Sequence, residues 1–374
     1  MVRVLGKVDI PQVSEEEDLI AYFVEILGDR AKEIEYMGQV DLKDHTSLDA
    51  LFHGCSNLKA IPKLDTGNVI SMKYTFSHCT SLISIPYLDT SNVKETVGMF
   101  YGCESLREVP PLDLSNVLDA ALMFTGCSSL IKVPDFDTYK VIDVSKMFQG
   151  CTNLIEAPNL LLGNVGKGTL KKYSKTSSVI GMFRGCKRLT KVPEYVTNNC
   201  ECFDEMFMGC KALRRIPKLN LENAKRLVRM FEDSGIEEFN LDTRNVEDFT
   251  SIFENTPNLK EATLDLSECY RLSSAFKNSN VEKVLCYNCN ENISVCETFR
   301  GASKLKQLEM YGFIGELDIR DTKLSDIAIY DFIDSLGENK HGNAYTIKLN
   351  ISKDNSSSRI EKLAEIKGYK LQYK

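Results

Sequence analysis

Residues 99–117 read Met99-Phe100-Tyr101-Gly102-Cys103-Glu104-Ser105-Leu106-Arg107-Glu108-Val109-Pro110-Pro111-Leu112-Asp113-Leu114-Ser115-Asn116-Val117. This stretch is one copy of a tandem repeat. Phe52, Phe76, Phe100, Phe124 and Phe148 stand 24 residues apart, each followed three residues later by a cysteine. After one step of 35 the ruler resumes at Phe183, Phe207 and Phe231. It then shortens to steps of 22 and 23 at Phe253, Phe276 and Phe299. A fixed period in this range marks a solenoid, in which each turn buries its apolar face only against its neighbours.

Within a turn the apolar residues follow two patterns. Leu106, Val109 and Leu112 lie in a short extended stretch carrying Pro110. Val117, Ala121 and Phe124 recur at three-to-four-residue spacing, which is helical. Each turn is therefore predicted to hold one short strand and one short helix. Sequences such as Asp65-Thr66-Gly67-Asn68 and Asp89-Thr90-Ser91-Asn92 supply the turns between them. Pro62, Pro86, Pro110, Pro134, Pro158, Pro193 and Pro217 donate no ladder hydrogen bond, so the strands must be short. Asn68, Asn92, Asn116, Asn164, Asn199 and Asn223 share one position. Their amides are expected to satisfy loop backbone groups of their own and the next turn.

The pattern Met-Phe-x-Gly-Cys-x-x-Leu-x-x-Val/Ile-Pro-x-Leu-Asp-Thr-Ser-Asn-Val resembles the BspA-like leucine-rich repeats of bacterial surface proteins. Similar arrays occur in bacteriophage tail and fibre proteins. The resemblance runs from about Leu51 to about Gly312. It implies an α/β solenoid, a right-handed leucine-rich-repeat array of about eleven turns of 22–24 residues with N- and C-terminal caps. It also implies a recognition scaffold and not an enzyme. The end of the chain fits such an array, with a helix over Leu324 to Leu336, a strand over Tyr345 to Leu349 and a helix exit at Ile366-Lys367-Gly368-Tyr369. Tyr369 stands where the family often has tryptophan. Three regions follow: an N-terminal cap or attachment segment over 1–45, the array over 46–312, and a C-terminal α/β cap over 313–374. In the first, Ser14-Glu15-Glu16-Glu17 has capping-box form ahead of the apolar Ile20, Phe23, Ile26 and Leu27.

Composition narrows the function classes. The 374 residues are 43% hydrophobic, enough for a continuous core. A net charge of −7 speaks against nucleic acid, which asks for a basic footprint. No stretch is long and apolar enough to span a membrane. The first nine residues, Met1 to Asp9, have no apolar run of signal-peptide length. The expectation is either a surface protein given without its leader or a protein assembled inside the cell, as a virion protein is.

The 13 cysteines are an odd number. Cys55, Cys79, Cys103, Cys127, Cys151, Cys186 and Cys210 share one repeat position, which later turns fill with Ser234, Thr256, Ser279 and Ala302. The position asks for a small side chain, so a reduced interior column is expected. Cys286-Tyr287-Asn288-Cys289, with Cys296 and Cys269, has metal-like spacing but no matching second pair. Cys200 and Cys202 flank Glu201, and no shared ligation is assigned to them. Asp65, Asp89, Asp113 and Asp137 form a carboxylate column that either holds calcium or simply starts turns. Leu161, Val196 and Asn220 interrupt it, so no metal is assigned. Gly166-Lys167-Gly168-Thr169 lacks the full phosphate-loop spacing, and neither a catalytic constellation nor a cofactor is assigned.

The candidate recognition face consists of strand positions that vary from turn to turn: Lys63, Tyr87, Arg107, Asp135, Asn159, Glu194 and Lys218. Ile83, Ile131 and Ile155 lie beside it and form either an exposed apolar patch or a part-buried row. The 35-residue step places an insertion at about 165–178, where Lys167, Lys171, Lys172, Tyr173 and Lys175 make a candidate contact loop. The expected function is host-surface recognition by a bacteriophage tail or fibre-associated virion protein. The alternative is a secreted bacterial surface adhesin that binds host matrix protein or other cells. Partners are then a surface protein or polysaccharide, other virion proteins in the phage case, and possible further copies in an oligomer, without nucleic acid.

Overall fold

The structure is a computed structural model that describes residues 4–5, 36–37, 42, 44–166, 179–291, 293–340, 345–352 and 358–373. The capping box at Ser14 and the contact loop from Lys167 to Lys175 lie outside the described residues. The chain forms two compact units, Met1–Asn199 and Cys200–Lys374.

In the first unit, strands β1 (Val4–Leu5) and β2 (Tyr36–Met37) pair in parallel. The repeats follow. One parallel bridge per turn joins Ser47, Ser71, Glu95, Asp119 and Asp143 in sequence. Beyond each bridge, alternate amides reach forward to the next turn: Ala50 N to Lys73 O, Phe52 N to Thr75 O and Gly54 N to Ser77 O, each at 2.8 Å. The amides between them close local four-residue turns, Leu51 N to Leu48 O at 3.1 Å and His53 N to Ala50 O at 2.9 Å.

These bonds overturn the expected helix. Two residues per turn, flanking the phenylalanine, hold positive φ: Ala50 and Gly54, Leu122 and Gly126, Lys146 and Gly150. A right-handed helix admits no such residue in its interior. Successive β-turns with a left-handed third residue supply that geometry. They also place apolar side chains three to four residues apart, which is why the spacing imitates a helix. Among the described residues no repeat contains an α-helix.

The proline-bearing stretch makes one backbone bond to the preceding turn, as in Arg107 N to Ile83 O at 3.1 Å and Ile131 N to Arg107 O at 3.2 Å. Three residues further on, at Pro110 and Pro134, the chain has no amide donor to extend the pairing. The second unit shows what happens without it. There the spacing falls to 22 or 23 residues, and a parallel four-stranded sheet forms. Its strands are β3 (Glu238–Phe239), β4 (Glu261–Asp265), β5 (Lys283–Tyr287) and β6 (Gln307–Met310). Ala262 and Leu264 point inward while Glu261, Thr263 and Asp265 point outward, the period-two alternation of a half-buried strand.

The unit ends with β7 (Leu317–Asp318), α1 (Asp326–Ser335), β8 (Thr346–Lys348), α2 (Ser358–Ile366) and β9 (Lys370–Gln372). Strands β7, β8 and β9 make a second parallel sheet in that order. Ser325 caps α1 by accepting from Ala328 N at 3.3 Å. The Tyr369 hydroxyl donates to Phe313 O at 3.0 Å, which ties the last strand back to the array.

The core of the first unit is a column of stacked rings. Phe52–Phe76, Phe76–Phe100, Phe100–Phe124 and Phe124–Phe148 lie 5.3 to 5.5 Å apart with planes within 10°. Beside it runs the cysteine column. The Cys79 thiol donates to Phe52 O, Cys103 to Phe76 O and Cys127 to Phe100 O, at 3.0 to 3.1 Å. The position thus takes a small group, which as cysteine donates to the preceding turn. In the second unit Ser234 and Ser279 occupy it with buried hydroxyls that have no partner. A buried orphan hydroxyl costs about 1–3 kcal/mol. Ser279→Ala is therefore expected to raise the thermal midpoint of the second unit by a few degrees, read by scanning calorimetry. An unchanged or lower midpoint would show that the hydroxyl is satisfied.

Candidate binding surfaces

The asparagine and aspartate positions are the frame on which the surface hangs. Asn92 Nδ2 donates to Gly67 O and Asn116 Nδ2 to Ser91 O, both at 2.7 Å. The amides thus reach the preceding turn, not the next one as the sequence suggested. Each aspartate of the carboxylate column accepts from the amide two residues on: Asp89 from Ser91 N at 3.1 Å and Asp113 from Ser115 N at 2.9 Å. The Ser91 hydroxyl and amide hold the Asp89 carboxyl below the usual carboxylate range. These are the bonds of an aspartate that starts a turn.

Six of the seven face residues lie in the first unit and Lys218 lies in the second; all seven are exposed. Lys63 and Tyr87 sit on successive turns and line a shallow hollow of about 500 Å³ with Asp65 and Asp89. Tyr87 is 60% exposed. Asn159 brings Asp135 into the same column: its amide and its backbone N–H both donate to that carboxylate at 2.8 Å. These two bonds, the side-chain one first, lower the Asp135 pKa and keep a fixed negative charge there. Glu194 continues the column one turn further. Arg107 belongs to the neighbouring column, between Ile83 and Ile131, each 46% exposed. Ile155 is half-buried. A guanidinium on the rung between them means that the isoleucines do not form one apolar patch.

Sequence reading missed the outer face of β3 to β6. Asp265 is in register with Tyr287, and Leu285 with Glu309. The exposed rings of Tyr287 and Tyr311 stack at 5.4 Å with planes 1° apart. Glu309 accepts from Gln307 Nε2 at 2.6 Å and from the Tyr311 hydroxyl. Those bonds, the tyrosine's first, pull the Glu309 carboxyl down and push the Tyr311 hydroxyl up. The visible signal was the pair of tyrosines 24 residues apart on strands freed of proline.

The cysteine sets are buried. Burial pushes Cys269 and Cys289 up to about 12 and raises Cys286 well above its ordinary value, so their thiols stay protonated. Cys200 and Cys202 are buried as well. Among the described residues no group of three or more His, Cys, Asp or Glu is arranged to hold a metal ion. Lys167, Gly168 and Thr169 lie outside the described residues. Among the described residues no helix is long and apolar enough to cross a membrane.

A family model described as "Mycoplasma protein of unknown function, DUF285" matches residues 23–136, 83–159, 129–240 and 177–285. Together these overlapping matches run from 23 to 285. No curated protein matches the chain. Among solved structures, a leucine-rich repeat protein from Bacteroides ovatus is similar at 12% identity and a TM-score of 0.36, over 85% of this chain and 88% of that one. The TLR13–ssRNA13 complex is similar at 10% identity and a TM-score of 0.19, over 86% and 60%.

Proposed function

We propose that this chain, which belongs to the DUF285 family of Mycoplasma proteins of unknown function, is a non-enzymatic leucine-rich-repeat binding scaffold. The observation that carries the proposal is the division of labour within a turn. Phenylalanine, cysteine and asparagine positions are absorbed by stacking and inter-turn bonds, and the aspartates by local turn bonds. The exposed positions between them change from Lys63 to Tyr87 to Asp135 to Glu194. Side chains on adjacent rungs stand about 5 Å apart, a spacing suited to the contour of a protein or polysaccharide. About eleven right-handed turns between two caps is the array we envisage, with the lysine-rich insertion projecting from it.

The repeat resemblance leads to two readings of that scaffold, a bacteriophage tail or fibre-associated virion protein and, as the alternative, a secreted bacterial surface adhesin. Mass spectrometry of envelope fractions and of purified phage particles from the native source distinguishes them.

The binding test uses the full chain on a glycan array and on immobilised host matrix proteins. Saturable binding is expected, and Tyr87→Ala with Arg107→Ala is expected to weaken it at least tenfold. Aromatic and arginine side chains dominate most recognition surfaces. Both residues are exposed, so the melting curve should not move. No saturable binding, or binding indifferent to both substitutions, would reject the face.

A further inference from the structure

The inter-turn ladder of the second unit has a gap at its end. In the turn before the last, Leu272 N donates forward to Ser294 O at 2.8 Å and Ser274 N to Cys296 O at 2.9 Å. One turn later the equivalent amides belong to Val295 and Glu297. Among the described residues neither reaches a backbone carbonyl. Gly301, two positions beyond Phe299, donates to the Asp321 carboxylate at 3.0 Å in place of a main-chain oxygen. A cleft of about 800 Å³ opens at this point. Val295, Cys296 and Glu297 line one side, and Glu316, Leu317 and Asp318 line another. The second group includes β7, an edge strand of its sheet, with β8 on its one paired side.

We propose that this cleft takes an extended peptide segment of a partner protein, added as a strand between the last repeat turn and β7. The donors at Val295 and Glu297 are two residues apart, so they ask for acceptors at the same period. The backbone carbonyls of an extended chain supply that period. An edge strand offers the matching row on the far side, and strand addition to such edges is a recurrent mode of peptide capture. Charge narrows the partner. The lining holds four carboxylates, on Glu297, Glu316, Asp318 and Asp321, against Arg300, Arg320 and Lys348. Arg300 is paired with Glu297, and Arg320 with Asp318 at 2.6 Å. The occupant is therefore a neutral or basic segment, not an acidic one. The site is separate from the variable face of the first unit and does not rest on it.

A phage-displayed random heptapeptide library panned against the full chain supplies the probe, and enriched peptides are synthesised and titrated by fluorescence polarisation. We expect neutral or basic binders that lose at least tenfold in affinity when Cys296→Trp fills the cleft. The same loss is expected when maleimide–biotin is attached to Cys296 of the folded wild-type protein, which removes any doubt about folding of the variant. Hydrogen exchange over 293–299 is expected to slow at least tenfold in the complex. Tyr87→Ala is expected to leave peptide binding unchanged, so failure here and failure of the lateral face are distinguishable. Failure to enrich any peptide would overturn the proposal. So would binders indifferent to the block at Cys296, or binding without protection of 293–299.

Discussion

Phe124→Ala is expected to lower the stability of the first unit by about 3–5 kcal/mol, the cost of emptying a fully buried aromatic site. Phe124 has no exposed surface. Its ring lies 5.4 Å from Phe100 on one side and 5.4 Å from Phe148 on the other, and 6.2 Å from Phe136. Each such pair is worth about 0.5–1.5 kcal/mol beyond area burial. A repeat array is held by neighbour-to-neighbour terms, so a cavity in a middle turn weakens the coupling on both sides of it. Urea unfolding followed by circular dichroism reads the loss as a fall in midpoint. Phe124→Leu, which keeps much of the volume, is expected to cost roughly 1.5 kcal/mol or less. If both variants cost the same small amount, ring stacking is not what joins the turns.

A thiol titration of the native protein is expected to show one fast cysteine and twelve silent ones. All 13 are free; Cys296 is exposed and the other twelve are buried. Reaction needs the thiolate and access together. Burial pushes Cys55 up to about 11 and Cys202 up to about 12, and drives Cys79, Cys103 and Cys151 well above their ordinary value. The sign is that of a group whose neutral form is favoured by folding. At pH 8 a thiol of pKa 11 is about one-thousandth ionised, and the Cys55 side chain is buried. Ellman's reagent should therefore release one equivalent within seconds at pH 8, and thirteen after denaturation in guanidinium. Cys296→Ser should remove the fast phase entirely. A native burst of two or more equivalents would show that the cysteine column opens to solvent.

The same residues show where sequence reading carries and where it stops. The phenylalanine ruler is legible because a stacked ring at every turn demands one residue type at one spacing. The cysteine column is legible by substitution within the chain, since Ser234, Thr256, Ser279 and Ala302 share only smallness with it. The helix is misread because apolar spacing of three to four is common to a helix and to linked β-turns. Only the backbone signs at Ala50, Leu122 and Lys146 separate the two, and no side chain there announces a positive φ. Gly102, Gly126 and Gly150 do announce it, at the second of the two positions.

The recurring residues by themselves determined a tandem array, its period, its shortening after Phe231, its buried rings and thiols, and the positions left free to vary. These are one-dimensional properties, set by what a turn must repeat in order to stack on its neighbour. Tertiary structure decided the rest. It decided that the asparagines bond backward, that loss of proline lets β3 to β6 form a true sheet, and that Tyr287 stacks on Tyr311. It also decided that Val295 and Glu297 line an open cleft. The physical reason is the same in each case: a hydrogen bond or ring contact between turns depends on the partner 22 to 25 residues away, and its direction is invisible in either residue alone.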